Sequence, residues 1–237
     1  MTQGGMKVVR PPSPFLAVAE VTTVAAAYIV VSIAAVETID LSFVFPESWP
    51  SAQRTVGSGF LVGALVQLSL VLLGAYLIGL TSLRFAISKT FSRSTRQAWT
   101  IALIATAIHV GTAVLVYLPQ PERVWEASSV NLILSAIPAT DAWTQEVLFR
   151  GYVLIRLARA RIPRLAQIFL SGLLFAAIHV GYVGEGVWAT FSPLIGTFML
   201  GVFYAWSVQS GRGSLLPVVF CHMLIILLSQ PWLALAS

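Results

Sequence analysis

Seven ionisable side chains interrupt the long apolar stretches of this chain. They are Glu20, His109, Asp141, Glu146, Arg150, His179 and His222. An ionised side chain near the centre of a bilayer costs roughly 3 kcal/mol on insertion scales, so such residues usually face a protein interior and often mark a functional site. Chemistry inside an apolar environment is therefore expected to use members of this set.

Four of these residues form a pattern. Glu146 and Arg150 are four residues apart, so they share one face of a helix and can pair there. His179 follows Phe175 at the same spacing in the next apolar stretch, and His222 lies in the last one. Antiparallel helices can bring Glu146, His179 and His222 to a similar depth. Asp141, one turn before Gln145, can face the same cavity.

A carboxylate and an imidazole together can deprotonate a water molecule, and a second imidazole can donate a hydrogen bond to a developing oxyanion. This is an outline for amide hydrolysis without a covalent intermediate. Other designs have less support, because the sequence contains neither HExxH nor GxSxG. Ser171 lies two helical turns, about 12 Å, from His179, which is too far for a triad contact.

Three other interpretations stay open. Glu146 and Arg150 can form an intramembrane salt bridge that only fixes helix packing. His179 can be a hydrogen-bonded core histidine, as we expect for His109, and Glu20 is also interpreted as structural. Two histidines and Glu146 can in principle bind zinc, but Arg150 would compete with a cation for the glutamate. We therefore expect no metal and no other cofactor.

The composition indicates an integral membrane protein, since 57% of the residues are hydrophobic and only 10% are charged. Seven apolar runs approach or exceed the roughly 20 residues that span a bilayer as a helix. They cover residues 14–36, 57–83, 99–118, 129–156, 165–183, 187–208 and 214–236. The sequence thus predicts an all-α, polytopic transmembrane helical bundle of about seven spans, forming a single membrane domain over residues 1–237.

Loop charges predict the orientation, because Lys and Arg collect on the cytoplasmic side. With the N-terminus inside, the inner segments carry Lys7, Arg10, Arg84, Lys89, Arg93, Arg96, Arg156, Arg159, Arg161, Arg164 and Arg212, and no acid. The outer segments carry Arg54 and Arg123 against Glu37, Asp40, Glu47, Glu122, Glu126 and Glu185. The sequence therefore predicts the N-terminus inside and the C-terminus outside, with anionic lipids rather than nucleic acid as the partner of the positive charge.

Three segments together resemble a known family. They are QEVLFRG from Gln145 to Gly151, Phe175-x-x-x-His179, and GSLLPVVFCH ending at His222. In this order they resemble the CPBP family, which comprises the CAAX prenyl proteases and the bacterial bacteriocin-processing or immunity (Abi) proteins. The resemblance covers roughly residues 130–230. Members are polytopic membrane proteins with the motifs EExxxR, FxxxH and HxxxN.

The resemblance implies roles for individual residues. Glu146 corresponds to the second Glu of the first motif, Arg150 to its Arg, and His222 to the first residue of the third motif. In the family, the first Glu and the His of the second motif, here His179, activate water, and the third motif stabilises the oxyanion. This chain departs from the pattern twice, at Gln145 and at Ile226, where the family has Glu and Asn.

These departures leave three outcomes. Glu146 can act as the base, Asp141 can supply the missing carboxylate, or the chain can be an inactive relative with a peptide-binding or immunity role. We predict an endopeptidase that acts on a membrane-associated peptide or protein, with catalytic residues Glu146, Arg150, His179 and His222. Gln145, Phe175 and Asp141 are expected to contact the substrate. A transporter is a weaker alternative, since no paired half-helices are visible.

The source is also suggested by composition. Twelve Arg against two Lys indicate a GC-rich, bacterial genome. The expected location is therefore the bacterial inner membrane.

Overall fold

The computed structural model describes residues 12–77, 84, 87–117, 129–180 and 187–233. Several loop charges that were used to predict the orientation lie outside the described residues. These are Lys7, Arg10, Glu122, Arg123, Glu126 and Glu185.

The described residues are almost entirely helical. The helices are α1 (Pro14–Thr38), α2 (Ser51–Leu77), α3 (Arg96–Tyr117), α4 (Ser129–Glu146), α5 (Leu154–Arg159), α6 (Arg164–Ala177), α7 (Val187–Ser210) and α8 (Leu216–Leu233), with a 3-10 turn at Ser42–Val44 and a π-helical segment at Val147–Val153 between α4 and α5. Within the described ranges there is no β-strand. The prediction of an all-α protein is confirmed.

Each of the seven apolar runs contains a helix, but the helices differ in length and polarity. Three of them are long and apolar enough to cross a membrane, namely Pro14–Thr38, Ser51–Gly74 and Arg96–Leu115, among the residues described. Arg164–Ala177 and Leu216–Leu228 are shorter apolar helices. The chain is an integral membrane protein, and the count of seven spans stays a prediction.

Helix α4 carries the turns that precede the QEVLFRG segment and lies between α2 and α8. It packs along α8 and α2, while α7 packs along α6 and α3, and α1 contacts α2 and α5. The α4 helix buries polar side chains, among them Asn131, Asp141 and Glu146. Large apolar side chains on the surrounding helices point outward, for example Phe15, Leu72 and Leu115. This inversion of the usual pattern suits a bundle surrounded by lipid.

Hydrogen bonds join neighbouring segments at each end of the bundle. At one end, Lys89 Nζ donates to the Arg212 carbonyl at 3.2 Å, and Arg164 Nε donates to Gln209 Oε1 at 2.6 Å. At the other end, Gln53 Nε2 on α2 donates to Asn131 Oδ1 on α4 at 3.0 Å. The segments predicted to be cytoplasmic therefore meet at one end, which we call the basic end.

Candidate active site

The QEVLFRG segment lies where the α4 helix widens into a π-helical segment. π-helical turns are rare and occur frequently at functional sites. Ser171 on α6 donates its hydroxyl hydrogen to the carbonyl of Phe149 within this segment, at 3.1 Å. A neighbouring helix thus supplies a hydrogen bond to the altered backbone. Ser171, which sequence spacing excluded from a triad, has a structural contact here.

Glu146 is the centre of a buried polar cluster. Its side chain is fully buried, and its Oε1 atom accepts a hydrogen bond from His222 Nδ1 at 2.8 Å. The same oxygen lies 3.2 Å from Arg150 Nη1. The other oxygen, Oε2, is buried without a hydrogen-bond partner among the described residues. Oε1 of Glu146 therefore contacts both the Arg150 guanidinium and the His222 imidazole. Oε2 can still accept a hydrogen bond from another donor.

Arg150 is buried at 1% exposure, and aromatic rings surround its guanidinium group. The group lies 4.0 Å from the centroid of the Phe175 ring and 5.6 Å from that of Tyr204. Its Nη2 donates to the Gly201 carbonyl at 3.4 Å. Its Nε is buried and has no hydrogen-bond partner within the described part of the chain. Ring faces and an acid together offset the cost of burying this cation.

Two glycines allow α6 to approach α7 closely enough to reach Arg150. A Cβ atom placed on Gly201 would lie 2.8 Å from the Gly172 Cα and 3.2 Å from the Phe175 ring. A Cβ on Gly172 would lie 3.1 Å from the Val202 backbone nitrogen. The crossing therefore has no room for a side chain at Gly201. The close approach places the Phe175 ring against the guanidinium group.

His179 lies just after the C-terminal end of α6. Its Nδ1 is 2.7 Å from the Phe175 carbonyl oxygen. Because a carbonyl oxygen only accepts, Nδ1 carries the hydrogen, and Nε2 of the neutral ring is the acceptor. The Phe175 ring centroid is 4.6 Å from the His179 ring and 5.6 Å from the His222 ring. The two imidazoles thus contact the same phenyl ring.

Asp141 and Gln145 face a different neighbour, the Tyr28 side chain on α1, which also lies beside Thr144. Tyr28 is 4% exposed and Asp141 8% exposed. The Tyr28 hydroxyl, Asp141 Oδ1 and Gln145 Oε1 are all buried without a hydrogen-bond partner among the described residues. Buried polar atoms are normally partnered by protein or ordered water. These residues form a second polar patch, one helix face away from Glu146.

His109 and Tyr28 were not identified by the sequence analysis as members of the site. The His109 ring lies close enough to both His179 and His222 for their charges to interact. Two signals were available for His109, its place among the ionisable residues of the apolar stretches and the recurrence of AIHVG at 107–111 and 177–181. No sequence pattern pointed to Tyr28, because a tyrosine in an apolar helix is common and its contacts with α4 are known only from the fold.

Glu20, the other residue interpreted as structural, has partners that its spacing did not reveal. Its carboxylate accepts hydrogen bonds from the Tyr152 hydroxyl and from Arg156 Nε, the latter at 2.8 Å. The carboxylate and the guanidinium are each about a quarter exposed. These contacts tie α1 to the helix that carries Arg150.

Ile226 has apolar surroundings. It is buried with Ala139 and Ala142 of α4, and Met223 packs against them. A hydrogen-bond donor is thus replaced by apolar packing at the position where the family motif has Asn. No set of three or more His, Cys, Asp or Glu side chains among the described residues is arranged to hold a metal ion.

Together, the fold and the site define a class: helical membrane proteins with a buried Glu, Arg and His and a second, partly buried His beside them. The family model described as Type II CAAX prenyl endopeptidase Rce1-like matches residues 127–228. This part of the chain, α4 through most of α8, matches the CAAX protease family, and the resemblance seen in its motifs is confirmed. No curated protein and no solved structure shows significant similarity to the chain.

Proposed function

We propose that the chain is a membrane-embedded endopeptidase that hydrolyses peptide bonds of membrane-associated substrates with an activated water. The observation that carries the proposal is the arrangement around Phe175. Two imidazoles contact its ring, and one of them, His222, is hydrogen-bonded to a buried carboxylate that also pairs with Arg150. A purely structural ion pair needs neither histidine.

His179 is the proposed general base. Its Nδ1–H is committed to the Phe175 carbonyl, which orients Nε2 as the proton acceptor. The water oxygen attacks the carbonyl carbon while its proton passes to Nε2. Collapse of the tetrahedral intermediate breaks the C–N bond, and the protonated imidazole returns the proton to the leaving amine. This assignment does not require a carboxylate at Gln145.

Glu146 is proposed to act mainly through its neighbours. Its Oε1 already holds His222 and Arg150, which fixes the orientation of both. A His222 ring with hydrogens on both nitrogens can keep its bond to Glu146 through Nδ1 and donate the Nε2 hydrogen to the oxyanion. Asp141 is the other carboxylate on the same helix, but it faces Tyr28 in the second polar patch, and the Asp141→Asn variant tests whether it contributes.

The alternative is an inactive relative that binds a peptide or a partner protein in the same place. Two observations favour it. Gln145 cannot act as a base near neutral pH, and apolar packing at Ile226 supplies no donor to an oxyanion. One lost oxyanion donor commonly costs 100-fold or more in rate.

The test is cleavage of a panel of membrane-tethered peptides in liposomes. The wild-type chain is expected to cleave some of them. Loss of a general base typically costs about 100-fold to 10,000-fold, so His179→Ala should abolish turnover. Asp141→Asn reports whether the second carboxylate assists, and Gln145→Glu whether the family's usual base adds to the rate. Thermal melting of each variant establishes that it is folded.

Two results would decide against the mechanism. Cleavage by the wild type that survives His179→Ala would remove the proposed base. Inactivity of both the wild type and Gln145→Glu over a broad panel would favour the binding protein.

A further inference from the structure

A second site is suggested by a cavity at the basic end of the bundle, which we call the basic cavity. Its volume is ≈ 450 Å³, and it opens between the π-helical segment, α5, α6 and α7. Arg150 belongs to its lining, whereas Glu146, His179 and His222 do not. The basic cavity is therefore a separate space that shares one residue, Arg150, with the candidate active site.

The charged side chains that line the basic cavity are all positive. Lys89, Arg150 and Arg164 contribute three cations, and the described lining contains no carboxylate. Arg150 is 1% exposed, and its Nε has no hydrogen-bond partner among the described residues. A buried donor of this kind usually has an acceptor. The Arg150 guanidinium is not exposed to the cavity, so Lys89 and Arg164 supply the accessible positive charge.

The polar wall is ordered by hydrogen bonds between its own side chains. Arg164 Nε donates to Gln209 Oε1 at 2.6 Å, and Gln209 Nε2 donates to Gln167 Oε1 at 3.1 Å. Arg164 also begins α6, whose first turn contains no acid. A cation at a helix N-terminus opposes the helix dipole, and a bound anion would relieve this conflict.

The remaining walls are apolar, formed by Leu154, Ile155, Ala158, Val208 and Leu215. Apolar walls together with cations suit an amphiphile with an anionic head. Basic pockets between transmembrane helices on the cytoplasmic side are a known type of site for anionic lipid headgroups. We propose that the basic cavity binds the phosphate group of an anionic phospholipid, with its glycerol and upper acyl carbons against the apolar walls.

The experiment measures binding and is independent of peptidase activity. The purified full-length chain in neutral detergent is titrated with phosphatidylglycerol, phosphatidylcholine or inorganic phosphate, and bound species are counted by native mass spectrometry. Phosphatidylglycerol is expected to bind more tightly than the zwitterionic lipid. Each cation near a membrane surface contributes enough attraction for a roughly fivefold change in affinity. Arg164→Gln and Lys89→Gln should each weaken phosphatidylglycerol binding by about that factor.

Arg96→Gln is the matched control, because Arg96 is a cation of the same end that is not part of the cavity lining. Its affinity for phosphatidylglycerol should equal that of the wild type. Equal weakening by all three substitutions would indicate only a diffuse charge effect and overturn the proposal. So would equal affinity for the two lipids. Tighter binding of inorganic phosphate, or of a short apolar peptide with a free C-terminal carboxylate, would assign the cavity to another ligand.

Discussion

Glu146 and Arg150 form an ion pair from which solvent is almost absent, since their side chains are both 0% exposed. Removing one partner of such a pair leaves an uncompensated buried charge, which typically costs about 3–5 kcal/mol. Glu146→Gln should therefore destabilise the protein by this amount, measured by reversible unfolding in mixed micelles. Adding Arg150→Met should recover most of the loss, because the double variant has neither charge.

Glu20→Gln is the control for this prediction. Glu20 pairs with Arg156, but both side chains are about a quarter exposed. Ion pairs with access to solvent contribute roughly 0–1 kcal/mol, so the loss of unfolding free energy should be small. A Glu146→Gln variant as stable as Glu20→Gln would show that Arg150 finds other compensation, and the argument from burial would be wrong.

Sequence spacing was sufficient to predict the contact between Glu146 and Arg150, because residues four apart share a helix face. It did not specify the partner of His222, which is 76 positions from Glu146. That contact depends on the rotation of α8 against α4, and a uniformly apolar helix carries no periodic signal for its rotation. The same reason explains why Tyr28 and His109 were not recognised.

At the scale of elements, the close crossing of α6 and α7 at Gly172 and Gly201 positions His179 next to the site. A methyl group on Gly201 would lie 2.8 Å from the Gly172 Cα, so the helices must separate. Overpacking of this kind typically costs about 1–3 kcal/mol. We expect Gly201→Ala to lower the melting temperature and to reduce any peptidase activity, because α6 carries Phe175 and His179 away from Arg150.

Gly196→Ala on the same helix is the matched control. A Cβ there would lie 3.8 Å from the His109 ring, which is an ordinary contact. Alanine is preferred to glycine inside a helix by about 1 kcal/mol, so this variant should be as stable as the wild type or more so. Equal melting temperatures for the two alanine variants would contradict the proposed close crossing.

The positions of the helices follow from the apolar runs, and each run contains at least one helix. The π-helical segment had no such signal, since an inserted residue in a helix depends on the contacts that stabilise it. Here the hydroxyl of Ser171, on another helix, bonds to the Phe149 carbonyl. Long-range contacts of this kind are set by tertiary packing and are invisible to local pattern.

At the scale of the whole molecule, three segments that are distant in sequence meet at the basic end. Lys89 bonds to the Arg212 carbonyl, Leu215 N–H donates to the Lys89 carbonyl at 3.1 Å, and Arg164 bonds to Gln209. The segments near 89, 164 and 212 must therefore lie on the same side of any membrane that the bundle spans. The basic end is predicted to lie on the cytoplasmic side of the membrane, because Lys and Arg collect there.

The orientation can be tested with single cysteines and a membrane-impermeant maleimide on intact cells. Cys221 is fully buried, so the natural cysteine should give little background labelling.

Glu47→Cys and Glu185→Cys should react from outside. Arg93→Cys and Arg161→Cys should react only after permeabilisation, because the arginine-rich loops are expected to stay in the cytoplasm. Labelling of Arg161→Cys and Glu185→Cys from the same side would contradict the seven-span prediction. The opposite labelling pattern for all four variants would be consistent with the same bundle in the opposite orientation, with the basic cavity on the outer face.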